Sequence, residues 1–562
     1  VTNHINSNWD NAVAVSVDAT EVSLATNYFN SIGRKDMAQY LEYLANAGLI
    51  RAGPFKLFLA GNTKVSGSVK IQGKDKALSR IALNNLHSVH KSQVERAASI
   101  IHEVGAIFGN SHKQNIKLEE AFQASLTGKD TVYAYLSEVE KLSSDSKITQ
   151  LDPSIIHFQM SRKQENNYLK AIKQVLKDTK KSVVTPAILF EAAELATTED
   201  HSTVEANVAL QPGTMNPLHY GHISASLATI IGQNVDLVLL ANGGTVPDKP
   251  FAASAVLRNE MANKAANQPG LSDWLNVTPI RAQAVEMFNQ DDSTLELAGK
   301  DEKARRFNMD MAAFIWLFKA NPKVNWYYIV GSDKINAYGE KDEQGLLLHT
   351  LKPANARMFY FERTGEEVNY DKNIAPYPWL KELFDTGFFA KAPVPSSSAI
   401  SATKVRKAFV TGSDTLEDGM PLSESVVPDV IDYIRANKEL PTLYNLEFKD
   451  KDAKELTKEG AYLGARNIYR DSLDIIASFG AIAKSEQPLF DNLKITLTHK
   501  IAVLEATDKL LEGTLTEDEI NSLSVAVMAD IIRLLNLEDY DLEEKMLLYS
   551  AAPGSGKGAL MD

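Results

Sequence analysis

The sequence predicts a doubly wound parallel α/β sheet in the middle of the chain, with mostly helical regions on either side. Three observations carry this. From Ala206 onward, short apolar runs alternate with segments of helical pattern. Both ends of the chain instead show long stripes of apolar residues at helical spacing. The first apolar run of the middle region, "NVALQPG", ends in a glycine turn that leads directly toward a helical pattern. Alternation of this kind builds parallel strands covered by crossover helices.

Residues 1–204 read as a mostly helical region of unknown role. "SQVERAASIIHEVGAIFG" puts Val94, Ala97, Ala98, Ile101, Val104 and Ile107 on one stripe, and "NNYLKAIKQVLKD" does the same with Leu169, Ile172 and Val175. "FKLFLAGNTKVSGSVKIQGK" alternates and is broken by Gly and Asn, which predicts a strand pair around residues 55–74. Residues 205–440 form the predicted α/β domain. Its strands are "NVALQPG", "VDLVLLAN", "NWYYIVGSD" and "RMFYFERTG", with helices from about Gly221 and from about Ala253 to Asn267 between them. Residues 441–545 are helical again, in long amphipathic stretches rich in Ala, Leu and Ile. Residues 546–562, ending "AAPGSGKGALMD", resemble an incomplete P-loop.

Composition narrows the function classes. The 562 residues are 44% hydrophobic and 23% charged, as in a soluble globular protein, and no apolar run is long enough to suggest a membrane span. A formal charge of -13 argues against nucleic acid or an anionic membrane as partner. With no cysteine there is no disulfide, thiolate metal site or cysteine nucleophile. The polar start "VTNHINSNWDN" carries no secretory signal, so a cytoplasmic location is expected.

The chemistry concentrates in "LQPGTMNPLHYGHISASL". A helix start offers unpaired N–H groups and a partial positive charge, which suits phosphate. His219 stands just before the predicted helix and His222 in its first turn, so both imidazoles can reach one anion and donate to it as charge develops on an oxygen. Gly213 and Gly221 allow close backbone approach. The plain alternative is two ordinary loop histidines. "SSSAISATKVRKAFVTG" brings Ser401, Thr403 and Arg406 to a second helix start, either as a polyanion grip or as a capped surface helix. "YYIVGSD" puts Asp333 beyond a buried strand, where it binds a ribose hydroxyl or hydrated Mg2+, or simply forms a turn.

Taken together, "GTMNPLHYGH", "IVGSD" and "ISATKVR" resemble, in order and spacing, the three motifs of the H-x-G-H nucleotidyltransferase superfamily, and within it the nicotinamide or nicotinate mononucleotide adenylyltransferase family. "VVPDVIDYIRAN" looks like that family's closing helix, and "VPDKP" with Arg258 like its substrate loop. The resemblance implies a Rossmann-like core that transfers an adenylyl group from ATP to a pyridine mononucleotide, giving a dinucleotide and pyrophosphate. It implies catalytic roles for His219, His222 and Arg406, and ATP contacts from Gly213, Thr214, Met215, Gly221, Gly331, Asp333, Ser401 and Thr403. Asn216, Lys249, Arg258 and Tyr338 would meet the mononucleotide, and Mg2+ would arrive mainly on the ATP phosphates, with Asp333 as its candidate protein ligand.

Met215 replaces the family's usual aromatic residue, and Tyr338 stands in for the tryptophan that stacks on the pyridine ring. The choice between nicotinamide and nicotinate is left open. So are two other functions: the same chemistry on another phosphorylated metabolite, and a non-catalytic nucleotide sensor. The helical flanks are expected to serve oligomerisation, a protein partner or regulation rather than chemistry.

In the tail, Gly554, Gly556 and Lys557 fit a P-loop, whereas Ala551 and Ala559 stand where a glycine and a threonine are usual. Some proteins resembling this one join the adenylyltransferase to a P-loop ribosylnicotinamide kinase. Two expectations follow: a flexible glycine-rich tail, or the start of a P-loop domain in a longer parent chain, which the first residue, Val1, also suggests.

Overall fold

The structure is a computed structural model that describes residues 15–53, 67–72, 75–84, 93–126, 128–197, 204–244, 249–341, 343–362, 367–391, 400–479, 482 and 486–535. The P-loop-like stretch lies outside the described residues. The chain divides into two compact units. The first runs to Thr245 and takes in 257–408 and 413–433; the second comprises 246–256, 409–412 and the chain from Ile434.

The first unit opens with a small mixed sheet of β1 (Val15–Ser16), β2 (Ile50–Gly53), β3 (Gly67–Gln72) and β4 (Asp75–Asn84), in the order β1-β2-β4-β3. Within the strand pair expected at 55–74 the described residues show β3, which pairs antiparallel with β4. Residues 54–66 and 73–74 are not among those described. Around this sheet run α1 (Ala19–Ser31), α2 (Lys35–Asn46), α3 (Gln93–Ile107), α4 (His112–Ser125) and α5 (Gly128–Ser144). One buried guanidinium ties three of them together: Arg96 of α3 donates to Glu21 of α1 at 2.6 Å and to Glu138 of α5 at 2.7 Å. Such buried charges are tolerable only because each is paired.

Two further helices, α6 (Arg162–Thr179) and α7 (Pro186–Thr197), complete the stretch before the main sheet. The first begins at a reciprocal cap in which Ser161 receives the Gln164 N–H and Gln164 receives the Ser161 N–H. Tyr168 of α6 is fully buried, and its hydroxyl lies 3.3 Å from both the Leu189 and Ala312 carbonyls. Residues from Leu151 to Ala193 share one hydrophobic cluster with the sheet residues Val208, Leu210 and Leu239. The texture change at 205 therefore marks where strands begin, while the core they belong to begins about fifty residues earlier.

The main sheet consists of β5 (Ala206–Gly213), β6 (Leu237–Asn242), β7 (Leu275–Val277), β8 (Val324–Gly331), β9 (Arg357–Phe361) and β10 (Phe389–Lys391). All five neighbouring pairs are parallel, and the order is β10-β9-β8-β5-β6-β7. Val208, Ala209 and Leu210 are inaccessible to solvent, as expected of a strand covered on both faces. Helices α8 (Tyr220–Gln233), α9 (Ala255–Ala266), α10 (Ile280–Phe288) and α11 (Glu302–Ala320) follow the strands, and α12 (Ser332–Lys341) starts directly after β8. This is the doubly wound, Rossmann-like arrangement that the sequence predicts. The chain steps from β5 outward to β6 and β7, then returns to lay β8 on the other side of β5. Ligands of such sheets bind beyond the carboxyl ends of the strands at that reversal.

The second unit is helical where described after Ile434: α14 (Glu439–Lys458), α15 (Tyr462–Ser478), α16 (Gln487–Leu511) and α17 (Val525–Leu534), preceded in the chain by α13 (Ala402–Thr411). Gly460, at a φ of +77°, makes the break between α14 and α15 that an unbroken amphipathic reading does not anticipate. Val503, Leu510, Ile520 and Ile531 form its core. Among the described residues no helix is long and apolar enough to cross a membrane.

Candidate active site

The turn between β5 and α8 lies at the sheet's reversal, and its geometry follows from three backbone features. Gly213 ends the strand; Met215 adopts a φ of +43°, uncommon for a residue with a side chain; and the Asn216–Pro217 peptide is cis. The Met215 side chain folds back on Gly213, where any Cβ would lie 3.2 Å from Met215 Cγ.

His219 is the N-cap of α8. Its Nδ1 accepts the Gly221 N–H at 3.2 Å, and the Nδ1 of His222 accepts the His219 N–H at 3.3 Å. The two rings close a capping box in which imidazoles do what serine and glutamate usually do. Their centroids are 3.9 Å apart at 37°. An imidazole whose Nδ1 accepts carries its proton on Nε2 when neutral, so both rings are set as Nε2 donors. Gly221 permits this packing: a Cβ there would sit 3.0 Å from His219 Cε1 and Nδ1.

The second motif reaches the same turn. Arg406 of α13 is buried; its Nη1 donates to the Asn216 carbonyl at 2.7 Å and its Nη2 to Thr403 Oγ1 at 3.3 Å. Ser401 Oγ accepts the Lys404 N–H at 3.2 Å, capping α13, and the Ile400 carbonyl lies 3.9 Å from where a Gly221 Cβ would be. Asn216 is buried, and its Oδ1 accepts no hydrogen bond. Unpartnered among the described residues, this acceptor stands on the residue whose carbonyl Arg406 holds, and a ligand hydroxyl or N–H would satisfy it.

Gly331 and Asp333 stand at the end of β8, the strand beside β5. Asp333 is exposed, and its Oδ1 turns back over Gly331, 2.4 Å from where a Cβ would lie, so a side chain there would push that carboxylate aside. Among the described residues no three His, Asp or Glu side chains are gathered as a metal cage.

Two of the expected mononucleotide contacts, Arg258 and Tyr338, look different in the structure. Arg258 is 1% exposed, and it donates to the Thr214 carbonyl at 3.0 Å and the Gly243 carbonyl at 2.7 Å, as well as to Gly244. Its guanidinium thus clamps the turns after β5 and β6 instead of standing open to a phosphate. Tyr338 belongs to the hydrophobic cluster and is 5% exposed; burial raises its hydroxyl pKa well above the ordinary value. It presents no face on which a pyridine ring can stack. Lys249 is exposed and belongs to the second unit, where its carbonyl accepts the Ala252 N–H at 2.9 Å.

Sequence reading missed four supporting residues. Arg281 of α10 forms a two-pronged pair with Asp310 of α11, at 2.8 and 2.6 Å, and also donates to the carbonyls of Ala241 at 3.2 Å and Gly213 at 3.4 Å. With Arg258 it fixes the carboxyl ends of both strands. Burial pulls the Arg281 pKa down, but the Asp310 charge and hydrogen bonds outweigh that, and the net direction is upward. Gln211, within β5, donates to the His222 carbonyl at 3.1 Å and accepts from Ser226, holding the first turn of α8. A glutamine inside an otherwise apolar strand was the available signal.

No family model matches the chain, and no curated protein matches it. Among solved structures it is similar over 42% of its length to Plasmodium falciparum nicotinic acid mononucleotide adenylyltransferase, complexed with APC in one structure and with NaAD in another. Each is 15% identical and is covered over 98% of its own chain, with TM-scores of 0.28 and 0.29. Scores that low carry no structural weight, and the assignment of the fold rests on the strand order and its parallel pairings.

Proposed function

We propose that the chain is an adenylyltransferase that joins ATP to nicotinamide or nicotinate mononucleotide, forming a dinucleotide and releasing pyrophosphate. The observation that supports this best is the imidazole pair at the start of α8. Each Nδ1 is occupied by a backbone N–H, which sets both Nε2 donors at a helix N-terminus beyond the sheet's reversal.

In the reaction, an oxygen of the mononucleotide 5′-phosphate forms a bond to the α-phosphorus of ATP, and the bond from that phosphorus to the β-bridging oxygen breaks. Negative charge grows on the departing pyrophosphate. His219 and His222 donate to phosphate oxygens as it does so, and Arg406, Ser401 and Thr403 approach from α13. The buried Arg258 and Arg281 act as positioning residues, keeping the loop carbonyls turned away from the phosphates. Mg2+ brought in with ATP would supply charge neutralisation on its phosphates, with Asp333 the protein carboxylate that would meet it. Positioning and electrostatics suffice for such a displacement, and no covalent enzyme intermediate is required.

The acceptor is open to a second reading, because burial of Arg258 and Tyr338 takes away two residues expected to recognise a pyridine mononucleotide. Pyrophosphate release from ATP, measured with both pyridine mononucleotides and a panel of other phosphorylated metabolites, tests the proposal. Release with a pyridine mononucleotide supports it, and release only with another acceptor moves the chemistry to that substrate. ATP binding without release for any acceptor makes the chain a nucleotide sensor.

A further inference from the structure

The second unit holds a cavity of about 490 Å³ to which adenylyl transfer gives no role. Lys454 of α14, Tyr469 of α15, Lys500 of α16 and Arg533 of α17 line it, above an apolar floor of Val503, Leu504 and Leu534. The polar groups are braced from behind. Asp450 is 4% exposed; it accepts the Tyr469 hydroxyl at 3.0 Å, pairs with Lys454 at 2.8 Å, and also pairs with Lys500. The Lys500 ammonium sits 4.9 Å from the Tyr469 ring centroid. Opposite, Asp530 accepts from Arg533 Nη1 at 2.7 Å and lies 2.8 Å from His499 Nε2.

With Lys458, which also lines the cavity and pairs with Glu455 at 2.7 Å, four cations meet the three carboxylates Asp450, Glu455 and Asp530. The surplus of one positive charge, in a chain of net -13, suits a ligand of opposite sign. The volume falls within the roughly 300–1,000 Å³ of small-molecule sites. Cations at the rim and aliphatic side chains below match a molecule that is anionic at one end and apolar at the other.

We propose that this cavity binds a small phosphorylated molecule carrying a flat ring system, its phosphate against Lys454, Lys500 and Arg533 and its ring over Val503, Leu504 and Leu534. Lysine and arginine give phosphate charge-assisted hydrogen bonds, and Tyr469 adds an aromatic wall. The assignment is independent of the histidine pair, which belongs to the other unit.

The test uses the full chain and a readout confined to the cavity. An amine-acylating reagent is applied, and modification of Lys454, Lys500 and the exposed Lys35 is followed by peptide mass spectrometry, with AMP, inorganic phosphate or adenosine present at equal concentration. AMP at about ten times its Kd is expected to slow labelling of Lys454 and Lys500 by about tenfold, leaving Lys35 unchanged. Phosphate and adenosine should each protect far less. Arg533→Gln, at a side chain that is 75% exposed and so safe for folding, should weaken AMP protection by roughly tenfold, the scale of one charge-assisted hydrogen bond. Absence of protection by AMP overturns the proposal. So does protection by phosphate equal to that by AMP, which would mean an adventitious ion only, and equal protection by adenosine, which would mean that phosphate is not recognised.

Discussion

Asp310→Asn should unsettle the candidate active site without touching any residue that meets a substrate. Arg281 is 7% exposed, and two of its four hydrogen bonds go to Asp310, the others to the Gly213 and Ala241 carbonyls. Asparagine offers one acceptor in place of two and turns an N–H group toward the guanidinium. Arginine cannot shed its proton, so the variant holds a buried cation without a counter-charge, at a cost of about 3–5 kcal/mol. A domain is stable by only about 5–15 kcal/mol, so the loss is large. Trp274, Trp316 and Trp326 are buried in the first unit, and urea unfolding followed by tryptophan emission reads its stability. The midpoint should fall with the slope unchanged, and pyrophosphate release should fall with it. The double variant Arg281→Met, Asp310→Leu should regain most of the stability but not the activity, since the carbonyls stay unanchored. A cost below about 1 kcal/mol for Asp310→Asn, the scale of an exposed pair, would refute this account.

His222→Ala should lower turnover by about 100-fold or more with folding intact, the usual result of losing one preorganised donor; near-normal turnover in a folded variant removes the histidines from the mechanism. Arg406→Ala should weaken ATP and pyrophosphate by about 1.5–3 kcal/mol and the mononucleotide by less, read by titration; a loss confined to the mononucleotide reverses the orientation of the site. Glu103, buried on α3, has its pKa raised from 4.5 to about 7, by burial first, with His102 opposing and Glu119 assisting. The native state therefore holds a proton there that the unfolded chain has released, and stability should fall by up to about 3 kcal/mol as pH rises from 4.5 through 7. His102, raised mainly by its hydrogen bond to Glu119, acts in the same direction above pH 6.5. Thermal unfolding from pH 5 to pH 8 should show this slope in the wild type and much less of it in Glu103→Gln.

The sheet was legible because its strands are short apolar runs, and residues such as Val208 to Leu210, covered on both faces, can hardly be anything but apolar. The imidazole turn was legible because helix starts have a local grammar. Tyr338 shows where proximity in sequence misleads: five positions after Asp333 on α12 it faces the core, while Asp333 faces solvent. Arg258 could not be read because its partners are backbone carbonyls, which every residue offers. The Arg281–Asp310 pair joins two helices by a contact that no local pattern announces. The start of the shared core near Leu151 was hidden for a similar reason: helices α6 and α7 look like any amphipathic helices until their packing partner, α11, is known.

Gly128, the first residue of α5, sits where a Cβ would meet Ile400 Cδ1 at 2.1 Å, Tyr220 Cβ at 2.9 Å and the Glu424 carbonyl at 3.2 Å. Tyr220 lies between the two histidines, Ile400 opens the second motif, and Arg96 anchors α5 to α1 and α3 through Glu138 and Glu21. The amino-terminal flank is therefore seated against both motifs at a point too tight for alanine. A displacement of α5 would press on the place where the two motifs meet. Anything that shifted α5 would thereby shift the turn that carries the imidazoles.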